Sequence, residues 1–451
     1  MICLVSFPIK LTAQSDQIFK SFRFDEDFAY LKGNDQKTSY EKIKYIPLSK
    51  EGDFYMSFGG EVRFQYFNIK NEDWGDVPDD KDGYTLNRFL AHTDLHINSI
   101  FRFFVQLQAS NSNSRVDPSP VEENPLDLHQ AFIDINFFNE SRNKLVLRFG
   151  RYEMAYGGLR LIAVREGPNS RRSFDGVKLY FKSDNVKTDI FYTHPVLNRV
   201  GIFDNCINKD IKLWGSYTVL NDVPIISNAD LYYLGIWKRN AFFDDGEGKE
   251  LRHSFGARIW DSEGNWHYDF EGVYQFGNLE NQHINAWTVS SNTTYQFKNV
   301  KFEPVIGLKT EVVSGNREYN DGKVETFNSL FPKGAYFGLA ALIGPTNLFD
   351  IHPSIDLSLT SKLSFSIDYD LFWRLSKNDG IYAANQQLLY TGQNSDNKFI
   401  GAQYAFEAQY IVSNQLILKL EGTYFHSGSF LKDVSAGQDV AFLGVTTLFK
   451  F

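Results

Sequence analysis

From about residue 54 onward, apolar and polar residues alternate with period two in segments of roughly ten residues, and the 3.6-residue repeat of a helix is almost absent. In residues 363–374 one face carries Leu363, Phe365, Ile367, Tyr369, Leu371 and Trp373, while the other carries Ser364, Ser366, Asp368, Asp370, Phe372 and Arg374. Residues 402–412 repeat the pattern, with Tyr404, Phe406, Ala408 and Tyr410 opposing Gln403, Glu407 and Gln409. In residues 265–275, Trp266, Tyr268, Phe270 and Tyr274 oppose His267, Asp269, Glu271 and Gln275. A soluble sandwich alternates too, but its core face favours Val, Ile and Leu, and short turns join its strands at both ends.

The alternation predicts strands over residues 54–69, 86–98, 101–110, 128–137, 144–151, 174–182, 185–193, 211–220, 229–239, 251–261, 265–276, 284–297, 301–312, 346–359, 363–375, 400–412, 415–426 and 438–451. The connections separate by parity. Those after even-numbered strands are tight, such as residues 261–265, 360–362 and 413–414. Most after odd-numbered strands are long and rich in Asn, Asp, Gly and Ser: 70–85, 111–127, 152–173, 194–210, 313–345 and 376–399, with the one around 277–283 only moderate. The fold class is therefore all-β: a transmembrane antiparallel β-barrel of about 18 strands, with short periplasmic turns and long extracellular loops. The last strand ends on Phe451, as in a barrel handed to the outer-membrane assembly machinery.

Composition fits this picture. There are 41 Phe, 24 Tyr and 7 Trp against 3 Met, which supplies a lipid-facing coat; Trp237 and Trp373 fall at upper strand ends, Trp266 and Phe451 at lower ones. A Lys or Arg facing lipid at the bilayer midplane costs about 2–4 kcal/mol. The apolar faces of the clearest strands carry none. The apolar stretch around Tyr336–Ile343 is too short for a membrane helix. A net charge of -9 argues against nucleic-acid binding. Cys3 and Cys206 form no disulfide framework, and neither has a metal-ligand neighbour, so no zinc site and no cofactor is expected. Residues 1–13 read as a truncated signal peptide, 14–53 as a periplasmic N-terminal segment and 54–451 as the outer-membrane barrel.

If apolar side chains face lipid, the lumen receives Glu61, Arg63, Arg88, His92, Asp94, Arg102, Asp134, Arg148, Lys178, Lys187, Asp189, Asp368, Arg374, Lys419 and Glu421. Such a barrel is wide enough for an aqueous channel, so transport is the default function. His92 and His96 share a strand face and read as polar lumen wall. The densest basic stretch, residues 147–176, holds Arg148, Arg151, Arg160, Arg165, Arg171 and Arg172. Guanidinium groups match carboxylates bidentately and keep their charge, which suits a carboxylated solute. Glu153, Glu166 and Asp175 would hold the arginines in place. The competing reading is a salt-bridged loop that merely narrows the lumen.

The strings His129–Ile135, Leu147–Glu153 and Val164–Gly176 resemble the alginate export family, with supporting matches at residues 44–48, 57–64, 372–375 and 379–382. The resemblance implies an eighteen-stranded outer-membrane channel with an arginine-lined pore for anionic polysaccharide or oligosaccharide such as alginate. It places Arg148, Arg151, Arg165, Arg171 and Arg172 at the constriction, with Asp134 and Asp175 as acidic counterparts. Arg63, Arg88, Arg102, Arg160 and Arg374 complete the expected solute-binding set. A monomer in the outer membrane, in contact with its lipid, is expected. The alternatives are a small-anion or general porin, a structural or adhesive barrel, and a polysaccharide hydrolase or lyase using a pair such as Asp368 and Asp370. The last lacks any G-x-S-x-G or H-E-x-x-H motif.

Overall fold

A computed structural model of the protein describes residues 19–139 and 142–451; the expected signal peptide, residues 1–13, lies outside them. Eighteen long strands follow one another: β1 (Phe54–Lys70), β2 (Tyr84–Ile97), β3 (Phe101–Asn113), β4 (Asn124–Asn139), β5 (Lys144–Tyr152), β6 (Phe174–Lys182), β7 (Val186–Leu197), β8 (Ile211–Val223) and β9 (Ser227–Phe243). The second half comprises β10 (Gly246–Asp261), β11 (Trp266–Leu279), β12 (Gln282–Gln296), β13 (Val305–Val313), β14 (Leu348–Ser358), β15 (Leu363–Arg374), β16 (Phe399–Ile411), β17 (Leu416–Ser427) and β18 (Val440–Lys450). Each pairs antiparallel with its sequence neighbours. β1 also pairs with β18, from Glu61 opposite Lys450 to Lys70 opposite Ala441, and this closes the barrel. Closure leaves no unpaired sheet edge to lie in lipid.

Alternation in the sequence becomes alternation across the wall. On β5, Phe149 is 67% exposed on the outside. Its neighbour Arg148 has a side chain only 2% exposed inside. On β15 the Ile367 side is exposed and the Asp368, Asp370 and Phe372 side is buried. Trp266 stands exposed at the start of β11, and Trp373 stacks on Phe349 near the other rim. Gly150 and Gly176 are register partners on β5 and β6, and each is pressed against a neighbouring strand. A Cβ on Gly150, where φ is +131°, would lie 2.3 Å from the Ala131 carbonyl oxygen; one on Gly176 would lie 2.3 Å from that of Tyr192.

Two odd-numbered connections are tighter than the sequence predicts. β9 and β10 run on to a two-residue turn at 244–245, and β11 and β12 to another at 280–281. Residues 240–250 lie outside the predicted strands, yet here most of them continue the ladder beyond a bulge after Lys238, with Ala241 opposite Gly248 and Phe243 opposite Gly246. The loops 153–173, 314–347 and 375–398 remain long.

The interior differs from an open aqueous tube. Inward aromatic groups form one connected cluster with loop residues, including Phe104, Phe132, Tyr152, Leu161, Ile162, Phe327, Phe331 and Phe337. Loops 153–173 and 314–347 meet inside the barrel: Ile162 bridges to Phe331, and the Ala163 amide donates to the Phe331 carbonyl at 2.9 Å. A lumen read as wide enough for an aqueous channel is largely occupied here by the barrel's own connections.

The segment read as periplasmic also enters. Before β1, helix α1 (Ser39–Lys44) starts on a Thr38–Glu41 capping box. Upstream, Phe24 is buried edge-on against Phe104 and Phe132. Arg23 donates to the carbonyls of Gly60, at 2.7 Å, and Phe451, at 2.9 Å, tying this segment to both strands of the closure. Phe24→Ala should cost about 3–5 kcal/mol of the segment's anchoring. Limited proteolysis of the detergent-solubilised protein would then show cleavage within residues 19–31 that the parent resists; equal resistance would count against this packing.

Candidate functional site: an arginine-rich loop inside the barrel

The loop 153–173 starts where β5 ends and returns to the wall at β6, and the sequence gives it the means to turn inward. Asn169 donates to the carbonyls of Asn87, Asn111 and Glu122, and the Ser170 amide donates to Val121 at 2.7 Å. These bonds pin the loop to β2, β3 and the connection between β3 and β4. Arg165 sits at φ +58°, a left-handed backbone uncommon for a residue with a side chain and held by the surrounding contacts.

Three arginines converge on Glu166. Arg88 and Arg171 are in direct ion contact with its carboxylate, and Arg63 reaches it at 3.5 Å while donating to the Glu166 and Pro168 carbonyls. Arg88 also binds Glu61 at 2.6 Å, and Arg171 grips Glu153 at 2.6 and 2.9 Å. Glu153 in turn contacts His129 at 2.7 Å. Burial works against the ionised form of Glu166, but Arg171, Arg88 and Arg63 overcome it and hold the carboxyl well below the usual range.

The other expected site residues fall into separate places. Arg148 binds Asp134 through two bonds of 2.7 and 2.8 Å, its guanidinium 4.2 Å from the Phe24 ring and 3.8 Å from that of Phe132. Arg102 binds Asp94 and the Phe24 carbonyl, so these two arginines serve the N-terminal segment. Arg151 grips its register partner Asp175 at 2.8 and 3.0 Å and donates to Leu128, which stitches β4, β5 and β6. Arg160 crosses the interior to Glu271, Glu311, Thr288, Ser290 and the Tyr336 hydroxyl. Arg374 stands apart: it donates to carbonyls of Lys377, Asp379, Gly392, Ser395 and Asn397 and so clamps the loop 375–398.

Arg165 and Arg172 are different in kind. Among the described residues, no carboxylate lies within ion-pair distance of either. Arg172 donates to the carbonyls of Ala163 and Pro332 over the Phe331 ring, and Arg165 donates to that of Ser170. Burial pulls the Arg165 guanidinium down to about 10 and that of Arg172 well below its ordinary value, the latter further lowered by Arg165.

Below the paired loops lies a cavity of about 270 Å³, lined by Arg160, Lys309, Lys333, Tyr336, His352, Asp368 and Glu407 among others. Sequence reasoning missed Glu311 and the inward course of loop 314–347. The signal for the latter was its aromatic content: Phe327, Phe331, Tyr336 and Phe337 suit a core better than an outer loop.

A closed eighteen-stranded antiparallel wall around charged, inward-folded loops defines an outer-membrane channel barrel. The alginate export family model matches residues 54–441, and the chain belongs to that family. Among curated proteins there is no match. Solved structures share the fold at low identity. Acinetobacter baumannii OccAB1 has 11% identity and a TM-score of 0.61, over 91% of this chain and 99% of that one. Pseudomonas aeruginosa OccD3 has 13% identity and a TM-score of 0.58, over 91% and 93%. Pseudomonas aeruginosa OccK2, solved in complex with glucuronate, has 9% identity and a TM-score of 0.56, over 88% and 98%. Family and fold together place the protein in the bacterial outer membrane, and both are those of channels rather than enzymes.

Removing one partner of a buried ion pair costs about 3 kcal/mol or more. Glu166→Gln should therefore loosen the loop 153–173, read as a lower unfolding temperature of the folded barrel in detergent. Because the folded Glu166 carboxyl is depressed, its stabilisation is present above the ordinary glutamate value of about 4.3 and is lost as pH falls from there towards the folded value. The gap between parent and variant should thus begin to narrow below about pH 4 and close only towards the folded value; a constant gap from pH 7 to pH 3 would refute this role.

Proposed function

We propose that this outer-membrane channel passes anionic polysaccharide or oligosaccharide of the alginate-like uronate class, with the arginines of the loop 153–173 as its contact surface. The observation that carries the reading is the Arg165–Arg172 pair. Most other arginines of the loop and adjoining wall have a carboxylate of this chain as partner, so their charge is spent on holding the structure. Arg165 and Arg172 bring two positive charges together in surroundings that screen them poorly. A carboxylated sugar passing them gains a bidentate partner without breaking an ion pair of the protein. The family's description as alginate export supports this class of solute, as does the glucuronate, a single uronate unit, in the OccK2 complex.

A second reading, a channel for small anions without a polysaccharide role, is favoured by the meeting of loops 153–173 and 314–347 inside the barrel. Reconstitution in a planar bilayer separates the two. The uronate reading expects an anion-selective conductance blocked by alginate oligomers; conductance that passes chloride and ignores the oligomers would support the small-anion channel. Replacing Arg165 and Arg172 together by Ala should bring anion and cation permeability close to equal and raise the blocking concentration by about tenfold or more, the worth of one charge-assisted bond. Lys377→Ala, in the outer loop, should change neither. Unaltered selectivity in the double variant would remove these residues from the path.

A further inference from the structure

The ion pairs of the loop leave unexplained a group of acids on the opposite wall. On β14 and β15, His352, Asp368 and Asp370 bring their ligand atoms within 4.8 Å of one another. The His352 Nε2 atom lies 3.3 Å from the Asp368 Oδ1 atom, and its Nδ1 atom is in contact with the Asp370 Oδ1 atom. The register explains the grouping: Ser354 lies opposite Asp368 and Ile351 opposite Leu371, so His352 falls beside the inward face that carries both aspartates.

The surroundings point to a ligand. Asp350, two residues before His352, is fully buried, and neither of its carboxylate oxygens has a hydrogen-bond partner. It lies within electrostatic reach of Asp370 and His352. The Asp370 Oδ1 atom faces the His352 Nδ1 atom, while Gln403 donates to Oδ2 at 2.9 Å and so fixes the orientation of the group. Three carboxylates thus stand together in the wall. The nearest cation across the ladder is Lys309, the register partner of His352, which lies 4.8 Å over the rings of both Tyr336 and Phe337. Glu311, opposite Asp350, adds negative charge but is taken up by Arg160. Lys309 together with a protonated His352 still leaves one of the three buried carboxylates without a cation, and an uncompensated buried charge is costly.

We propose that His352, Asp368 and Asp370, with Asp350 behind them, bind a divalent transition-metal ion of the Zn²⁺ or Mn²⁺ class. One imidazole nitrogen with two or three carboxylate oxygens is a donor set such ions accept, whereas Ca²⁺ and Mg²⁺ favour oxygen alone. With His352 ligating as the neutral imidazole, the two positive charges of the ion and that of Lys309 balance the three acids. The Gln403 bond to Asp370 is the kind of outer contact that orients a ligating carboxylate. His352 and Asp368 border the 270 Å³ cavity, which gives an ion a route in. Spacing along the chain conceals the site, because its ligands come from two strands and no Cys or second His takes part.

The test uses the folded full chain in detergent, stripped with a chelator and titrated calorimetrically with ZnCl₂, MnCl₂ and CaCl₂. One Zn²⁺ or Mn²⁺ per chain is expected, weakened at least about tenfold in His352→Gln and Asp370→Asn. Resistance to unfolding in SDS without heating shows which variants retain the barrel. If either is unfolded, Asp368→Asn, at the cavity edge, carries the test with the same expectation. The proposal is overturned if the parent binds no more Zn²⁺ or Mn²⁺ than a folded variant, or if Ca²⁺ binds more tightly than both.

Discussion

A guanidinium taken from water into the middle of a barrel must be given a carboxylate or several carbonyls, and this requirement organises the interior of the protein. Glu166 meets it for three arginines at once, from β1, β2 and its own loop. Because those partners lie on different elements, satisfying them forces the loop 153–173 across the lumen. With that loop in place, loop 314–347 has a surface to pair with, and the aromatic groups of both find shelter from water. The apolar packing follows from the charge arrangement, since loops held only by greasy contacts would have no reason to stop at one register.

The same logic separates arginines that build from arginines that are available. Arg148 is sandwiched between Phe24 and Phe132 and closed by Asp134, so it secures the N-terminal segment. Arg374 spends its donors on the carbonyls of one outer loop. Arg165 and Arg172 have carbonyl acceptors but no carboxylate, so no ion pair with a described residue holds them. An arginine-rich stretch is therefore not uniformly a binding surface. Its chemistry divides according to which carboxylates the fold brings within reach.

That division marks how far the sequence could be read. The strands were legible because lipid outside and charge inside impose a period of two, and residues such as Ile367 and Asp368 record it one at a time. The turn at 244–245 was not, because strands that rise above the lipid lose the apolar half of the pattern and look like loop. The role of Glu153, Glu166 and Asp175 in holding arginines could be anticipated, since all lie in or beside the same segment. The convergence of Arg63 and Arg88 on Glu166, and the entry of Phe24 into the lower barrel, depend on closure of the sheet, which joins residues far apart in the chain. The grouping of His352 with two aspartates depends on strand register in the same way.

The tight turns at 244–245 and 280–281 carry a mechanical consequence. The strands β9 to β12 have up to seventeen residues. At about 3.3 Å per residue and a tilt near 40°, such a strand rises about 43 Å, well beyond an apolar band of about 25 Å. That quarter of the wall is a stiff parapet whose turns contain no slack. Any rearrangement of the rim is therefore confined to the other three quarters, where the connections are long.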